Sequence, residues 1–176
     1  MKKLSFALLL VVVLIAAANS FSVRGEELPL EQQIEIAIKQ NVKHVKKFIK
    51  LASKRAKAAE KKLQEDVSLL AEVIYHENWH TDKEHLAAYY TGAVVMNRVH
   101  SKDWPNTVEK VLYQKGQYST TKYFFTKEIP EECRQMAIDI LSKGTPDVPK
   151  NVIFQSTFRQ GSGKWKVING EWFCYE

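Results

Sequence analysis

The stretch that decides the fold of this chain is Val67-Ser68-Leu69-Leu70-Ala71-Glu72-Val73-Ile74-Tyr75-His76-Glu77-Asn78. As far as Tyr75 it is apolar around most of its circumference, which is typical of a helix buried in a core. It ends in the polar residues His76, Glu77 and Asn78. A polar triplet at the end of a buried helix indicates a functional site, so we expect the site there.

Downstream of this helix the sequence predicts three more helices and a small sheet. With 176 residues, 45% of them apolar, the chain has material for one domain of ordinary size. The small residues Gly92 and Ala93 favour close packing of the second helix against the first. The hairpin signal Asn169-Gly170 predicts an antiparallel C-terminal sheet, so the fold class is α+β and mainly α. The expected helices cover residues 83–100, 108–113 and 131–143, a polar loop covers 114–122, and the β-favouring runs are 152–154 and 165–168.

Upstream, residues 26–65 are predicted to form a long basic amphipathic helix or linker. Apolar residues recur at spacings of three and four, which places them on one stripe. Residues 1–62 hold 13 Lys or Arg against 5 Asp or Glu, whereas residues 63–176 hold 13 against 15. Such a face attracts anionic wall polymers or a membrane surface. The alternative is a solvated spacer or half of a coiled coil, and nucleic acid is not expected as a partner.

Residues 1–25 are predicted to be an export signal. Lys2 and Lys3 precede an apolar run from Leu4 to Ala18, in which Ser5 is the one polar residue. The run is shorter than the ~20 residues of a usual spanning helix, which favours removal over an uncleaved anchor. We therefore expect a secreted or envelope protein. Because oxidising compartments preserve disulfides, Cys133 and Cys174 are candidates for a disulfide, with two buried free thiols as the alternative.

The segment from His76 to His80 matches the zinc-protease pattern H-E-x-x-H. The extended form of that pattern needs Gly at position 83 and His at position 86, where this chain has Lys83 and Leu86. The pattern therefore lacks a third ligand. A zinc metallopeptidase stays an alternative, and no metal or other cofactor is expected.

The competing hypothesis uses Glu77 alone, as a carboxylic acid. Burial disfavours the charged form and raises a carboxyl pKa. Beside Ile74, Tyr75 and Trp79, Glu77 can keep its proton near neutrality and deliver it to a glycosidic oxygen.

Four ordered blocks carry a resemblance to a known family. They run from Leu69 to Glu77, from Gly92 to Val99, from Trp104 to Val108 and from Gln114 to Ser119. Together they resemble the cell wall hydrolase family of spore-cortex-lytic enzymes. The similarity continues through residues 149–155 to Phe173, so a catalytic domain is expected at 66–176 and the basic helix lies outside it.

The resemblance implies a lysozyme-like, α-rich domain that cleaves peptidoglycan glycan strands between N-acetylmuramic acid and N-acetylglucosamine, often as a lytic transglycosylase. The catalytic glutamate of the family falls on Glu77. His76 departs from the small residue common beside that glutamate and is a candidate substrate contact. A non-catalytic wall-binding protein that uses the basic helix is a further hypothesis.

Three more residues are candidates for substrate binding. Gln117 and Tyr118 lie in the polar loop that resembles the substrate-cleft segment of the family, where polar residues often carry function. Asn97 is the third candidate. Together with Arg98 it ends the second helix, where capping of carbonyls or pairing with an acid is the favoured role.

Overall fold

The computed structural model describes residues 28–176, and the predicted signal segment, residues 1–25, lies outside the described residues. The predicted class, α+β and mainly α with a long N-terminal helix and a small C-terminal sheet, is confirmed. The helices are α1 (Leu30–Asn78), α2 (Leu86–His100), α3 (Val108–Leu112) and α4 (Glu131–Lys143), with a 3-10 helix at Ser119–Tyr123. The strands are β1 (Val152–Ser156), β2 (Gly163–Ile168) and β3 (Glu171–Tyr175).

Contacts divide the chain into two units, one ending at Ala59 and one running from Glu60 to Glu176. In the first unit, the apolar stripe of α1 faces solvent. Ile38 is 51% exposed and Ile49 is 60% exposed. Its ion pairs, such as Lys39 with Glu35 at 2.6 Å, join exposed side chains and contribute little. Within residues 28–176, none of the helices combines the length and apolar character that crossing a membrane requires.

The core of the second unit forms around the last turns of α1. Leu70, Val73 and Ile74 are fully buried. A β-carbon added at Gly92 of α2 would lie 3.2 Å from Ile74 Cδ1 and 2.5 Å from Ile140 Cδ1 on α4. The absence of a side chain at Gly92 therefore lets α2 lie directly against both helices, as the small residues predicted.

Helix α2 begins later than the sequence predicted, at Leu86 and not at Lys83. The Asp82 carboxylate accepts hydrogen bonds from the backbone N–H groups of Leu86 and Ala87, at 2.8 and 2.9 Å. These bonds satisfy donors that have no partner within the helix. Residues 83–85 therefore form a turn between Asp82 and the helix that it caps.

The three strands form one antiparallel sheet in the order β1-β3-β2. Asn169 and Gly170 connect β2 to β3 with φ of 46° and 92°. A two-residue turn with both φ values positive has the twist that suits a tight hairpin. The predicted hairpin and antiparallel sheet are therefore present.

Two residues at the end of α2 hold the sheet against the helices. Asn97 Nδ2 donates to the carbonyl oxygens of Pro149 and Val152, both at 2.9 Å. Arg98 Nε donates to the Ile153 carbonyl oxygen at 2.7 Å. Both side chains are buried, so these bonds satisfy carbonyls at the start of β1 that have left water.

The two cysteines are free and buried. Burial raises the pKa of Cys133 to about 12, and the charges of Glu132 and Glu72 add to the effect. This structure therefore has two buried free thiols, which is the alternative to the disulfide considered from the sequence. Cys133 packs in the core of the helices, where it fills space as a small apolar side chain.

Asn97→Asp tests the anchor of the sheet. The substitution keeps the shape of the side chain but points an acceptor at two carbonyl oxygens. We expect the free energy of unfolding to fall by about 2 kcal/mol, measured by urea denaturation at neutral pH. Asn106→Asp, at an exposed position, is the matched control and should change little. Unchanged stability with a higher KM for glycan would instead make Asn97 a substrate contact.

Candidate active site

Glu77 lies at the point where α1 leaves the core. It is the penultimate residue of the helix and is half-buried, whereas the neighbouring Ile74 is fully buried. The hydroxyl of Thr120, in the 3-10 helix, donates a hydrogen bond to Glu77 Oε1. The carboxyl therefore stands at the edge of the core, partly screened from water.

Burial raises the pKa of Glu77 above its ordinary value. The negative charge of Glu171 raises this pKa further, while the hydrogen bond from Thr120 opposes the shift by favouring the carboxylate. A general acid works best when its pKa lies near the working pH. The structure thus gives Glu77 the kind of surroundings that the proposed acid requires.

Tyr118 lies two residues before Thr120, the hydrogen-bond partner of Glu77. It is buried, and burial raises its pKa, as do the charges of Glu77 and Glu171. Arg98 Cζ lies 5.3 Å from the centre of the Tyr118 ring and 4.3 Å from that of Trp104, which is a cation–π arrangement. Tyr118 Oη has no hydrogen-bond partner within residues 28–176. An unpartnered buried hydroxyl costs about 1–3 kcal/mol.

Asn78, directly after Glu77, is buried and held in one orientation. Its Nδ2 donates to Thr91 Oγ1 at 2.9 Å, and its Oδ1 accepts from Thr81 Oγ1 at 2.6 Å. Because Nδ2 donates and Oδ1 accepts, these two bonds fix the orientation of the Asn78 amide group. Its amide also makes a hydrogen bond to Glu171, which lowers the pKa of that carboxyl.

Glu171 is a second carboxyl of the site, and the sequence analysis did not identify it. Burial raises its pKa, and hydrogen bonds from Gln155 and Asn78 lower it. A usable signal lay in the turn Asn169-Gly170. The hairpin turn fixes the alternation of the strand that follows, so Glu171 shares a face with Phe173, which is fully buried.

The model of the Cell Wall Hydrolase family matches residues 82–169, which is half of the chain. This chain belongs to the cell wall hydrolase family. No curated protein and no solved structure matches it significantly.

In this cell wall hydrolase, the family match and the site overlap only in part. The matched segment contains Tyr118, Thr120 and Gln155, whereas Glu77 lies before it and Glu171 lies after it. The family indicated by the sequence blocks is confirmed. The role of Glu77 stays a prediction, because the match does not include that residue.

The zinc-protease pattern is not arranged as a metal site in this hydrolase. Paired histidine ligands stand on successive turns of one helix, but α1 ends at Asn78, before His80. His76 Nε2 lies 3.2 Å from Glu72 Oε2, and its ring stacks on Phe124 with centroids 5.8 Å apart. Within residues 28–176, no group of three or more His, Cys, Asp or Glu side chains is placed to hold a metal ion.

The remaining candidate contacts lie in different surroundings. Gln117 is exposed beside the buried Tyr118. Asn97 is buried, with its amide nitrogen bonded to the carbonyls of Pro149 and Val152. His76 is directed back along α1 toward Glu72. The structure brings Tyr118 to Glu77, and sugar contacts by Gln117, Asn97 and His76 stay predictions.

Thr120→Val tests the control of the Glu77 proton. Valine keeps the shape of threonine and removes the hydroxyl that favours the carboxylate, so the pKa of Glu77 should rise. We expect the alkaline limb of the kcat/KM profile on peptidoglycan to move to higher pH. Glu171 on β3 and Tyr118 below also face Glu77 and are unchanged in this variant. Thr126→Val, at an exposed position, should leave the profile in place; a downward shift for Thr120→Val would contradict the assignment.

Proposed function

We propose that this cell wall hydrolase cleaves the glycan of peptidoglycan, at the bond between N-acetylmuramic acid and N-acetylglucosamine, with Glu77 as the general acid. The observation that carries the proposal is a half-buried carboxyl with a raised pKa at the end of a buried helix. Breaking a glycosidic bond requires a proton on the leaving oxygen. Glu77 has the surroundings of a group that keeps such a proton.

The reaction begins when Glu77 donates its proton to the glycosidic oxygen. The bond between that oxygen and the anomeric carbon breaks, its electron pair stays on the oxygen, and the sugar ring becomes positively charged. Glu77, now a carboxylate, takes the proton from the 6-hydroxyl of the same sugar. The 6-oxygen bonds to the anomeric carbon and closes an anhydro ring, which is the lytic transglycosylase route.

Tyr118 is the residue best placed to orient the sugar. Its hydroxyl is buried and without a hydrogen-bond partner within residues 28–176. The charges of Glu77 and Glu171 both raise its pKa. Because this oxygen is enclosed, a sugar hydroxyl bonds to it only if the segment that carries Tyr118 moves. Gln117, exposed beside it, would extend the contact along the glycan.

Glu77→Gln is the decisive variant. Glutamine keeps the acceptor for Thr120 but has no proton to transfer, so we expect glycan cleavage to fall about 10²–10⁴-fold. Purified peptidoglycan is digested and its fragments are read by mass spectrometry. Anhydro-muramoyl ends support the transglycosylase route, and reducing ends would show hydrolysis instead. Glu109→Gln, on the exposed face of α3, is the charge-matched control.

The same variant carries its own folding control. The pKa of Glu77 is higher in the folded chain than its ordinary value of 4.5, because burial penalises the charged form. The folded chain therefore loses stability as the pH rises from 4.5 through the pKa of the folded state. Glu77→Gln should therefore be at least as stable as the native chain at neutral pH. New amino groups without new sugar ends would indicate a peptidase, and unchanged biological effect of the variant would indicate a wall-binding protein.

We also propose that the basic helix binds an anionic surface. The family favours an extracellular or envelope location, where anionic polymers and lipid head groups are present. The stripe containing Ile38 and Ile49 is exposed, and lysines flank it. An apolar stripe bordered by lysines is the pattern of a helix that lies in a membrane interface.

Replacing Lys43, Lys47, Lys50 and Lys54 by Gln tests this surface. We expect the full-length chain to bind vesicles with anionic lipid more tightly than neutral vesicles, and the variant to lose most of that difference, because each lysine contributes about 1 kcal/mol near a charged surface. Co-sedimentation with vesicles at low and high salt measures the binding of both chains. The apolar segment at residues 4–18 is common to both chains. Equal binding of the two chains to anionic vesicles would support a spacer helix.

A further inference from the structure

Glu77 lies before the segment that the family model matches, and Glu171 lies after it. Gln155 of β1 pairs with Phe173 of β3, and Glu171 precedes Phe173 by two residues. Alternation along a strand therefore puts these three side chains on one face of the sheet. The Phe173 ring packs edge-on against Tyr90 of α2, with centroids 5.4 Å apart, so this face is turned toward the helices.

The two carboxyls have different hydrogen-bond partners. Burial raises the pKa of Glu171, and hydrogen bonds from the amides of Gln155 and Asn78, which can only donate, oppose this shift. Donors of this kind stabilise the ionised form. Glu77 has the hydroxyl of Thr120, which can donate to a carboxylate or accept from a carboxylic acid. Burial thus raises the pKa of both carboxyls, and they differ in the donors that oppose this shift.

The turn before β3 lies against the chain that follows α1, since Asn169 Nδ2 donates to the Thr81 carbonyl oxygen at 2.5 Å. Glu77, Thr120, Gln155 and Glu171 are half-buried, whereas Asn78 is buried. Tyr118 is buried as well, and the charges of Glu77 and Glu171 both raise its pKa. A sugar ring that reaches Glu77 therefore also lies within the field of Glu171.

We propose that Glu171 is a second catalytic carboxylate, whose negative charge stabilises the positive sugar ring that forms when Glu77 protonates the leaving oxygen. This inference rests on the proposed glycan cleavage. In this role Glu171 acts as a carboxylate and transfers no proton, so the proton and electron movements are those already described. Opposite charges attract more strongly where water is partly excluded, and this favours the transition state over the neutral substrate. In the free enzyme the same charge discourages Glu77 from ionising.

Glu171→Gln removes the charge with little change in shape. We expect kcat on soluble, uncross-linked glycan strands to fall about 10- to 100-fold while KM changes less than about threefold, because the charge acts mainly in the transition state. The alkaline limb of the pH profile should move down, which is opposite to the shift expected for Thr120→Val. Glu171→Asp keeps the charge and should recover part of kcat. Glu128→Gln, at an exposed position, is the control for net charge.

Gln155→Met is a second variant that does not touch either carboxyl. It removes a donor to Glu171, so the pKa of Glu171 should rise and the acid limb of the profile should move to higher pH. The proposal is overturned if Glu171→Gln keeps kcat within about twofold with an unmoved alkaline limb, or if Glu171→Gln does not fold and Gln155→Met leaves the acid limb in place. If Glu77→Gln still cleaves glycan, the proposed function itself fails, which is a different result.

Discussion

The site depends on the burial of the last turns of α1. Leu70, Val73 and Ile74 are enclosed by the neighbouring elements, and Gly92 lets α2 approach them closely. A helix cannot end deep in such a core, since its last carbonyls would lack partners. The chain turns after Asn78, where its carbonyl accepts from Thr81 N at 3.2 Å. Glu77 therefore stands where the apolar core meets water, and this position raises its pKa without sealing it from a substrate.

Local signals in the sequence predicted most of the fold. Pro130 and Gly144 marked the ends of α4, which spans Glu131–Lys143 as expected. The Asn169-Gly170 turn predicted the hairpin. The start of α2 was placed too early because the periodic pattern does not show that Asp82 caps the helix from outside. Periodicity likewise placed the stripe of α1 on one face, but it carries no information about what covers that face.

The site was less predictable because its contacts are long-range. The position of Glu77 followed from a buried helix that ends in polar residues, and its role as the acid stays a prediction. Its partner Thr120 is 43 residues away along the chain, and no local pattern links the two. His76 was taken as a candidate sugar contact, yet its nitrogen lies near Glu72, one turn back on the same helix. That direction is set by side-chain packing against Phe124, which spacing alone does not reveal.

In the proposed mechanism, the chemistry depends on the docking of the sheet on the helices. Glu77 is delivered by a helix end and Glu171 by the start of a strand, and Asn78 connects them. Asn97 and Arg98 bind carbonyls of β1 and its approach, and β3 pairs with β1, so these bonds help to hold the strand in this position. If the sheet moves away from α2, Glu171 leaves the site while α1 and Glu77 stay in place. The two carboxyls therefore respond differently to the same structural disturbance, since one belongs to the helical core and the other to the docked sheet.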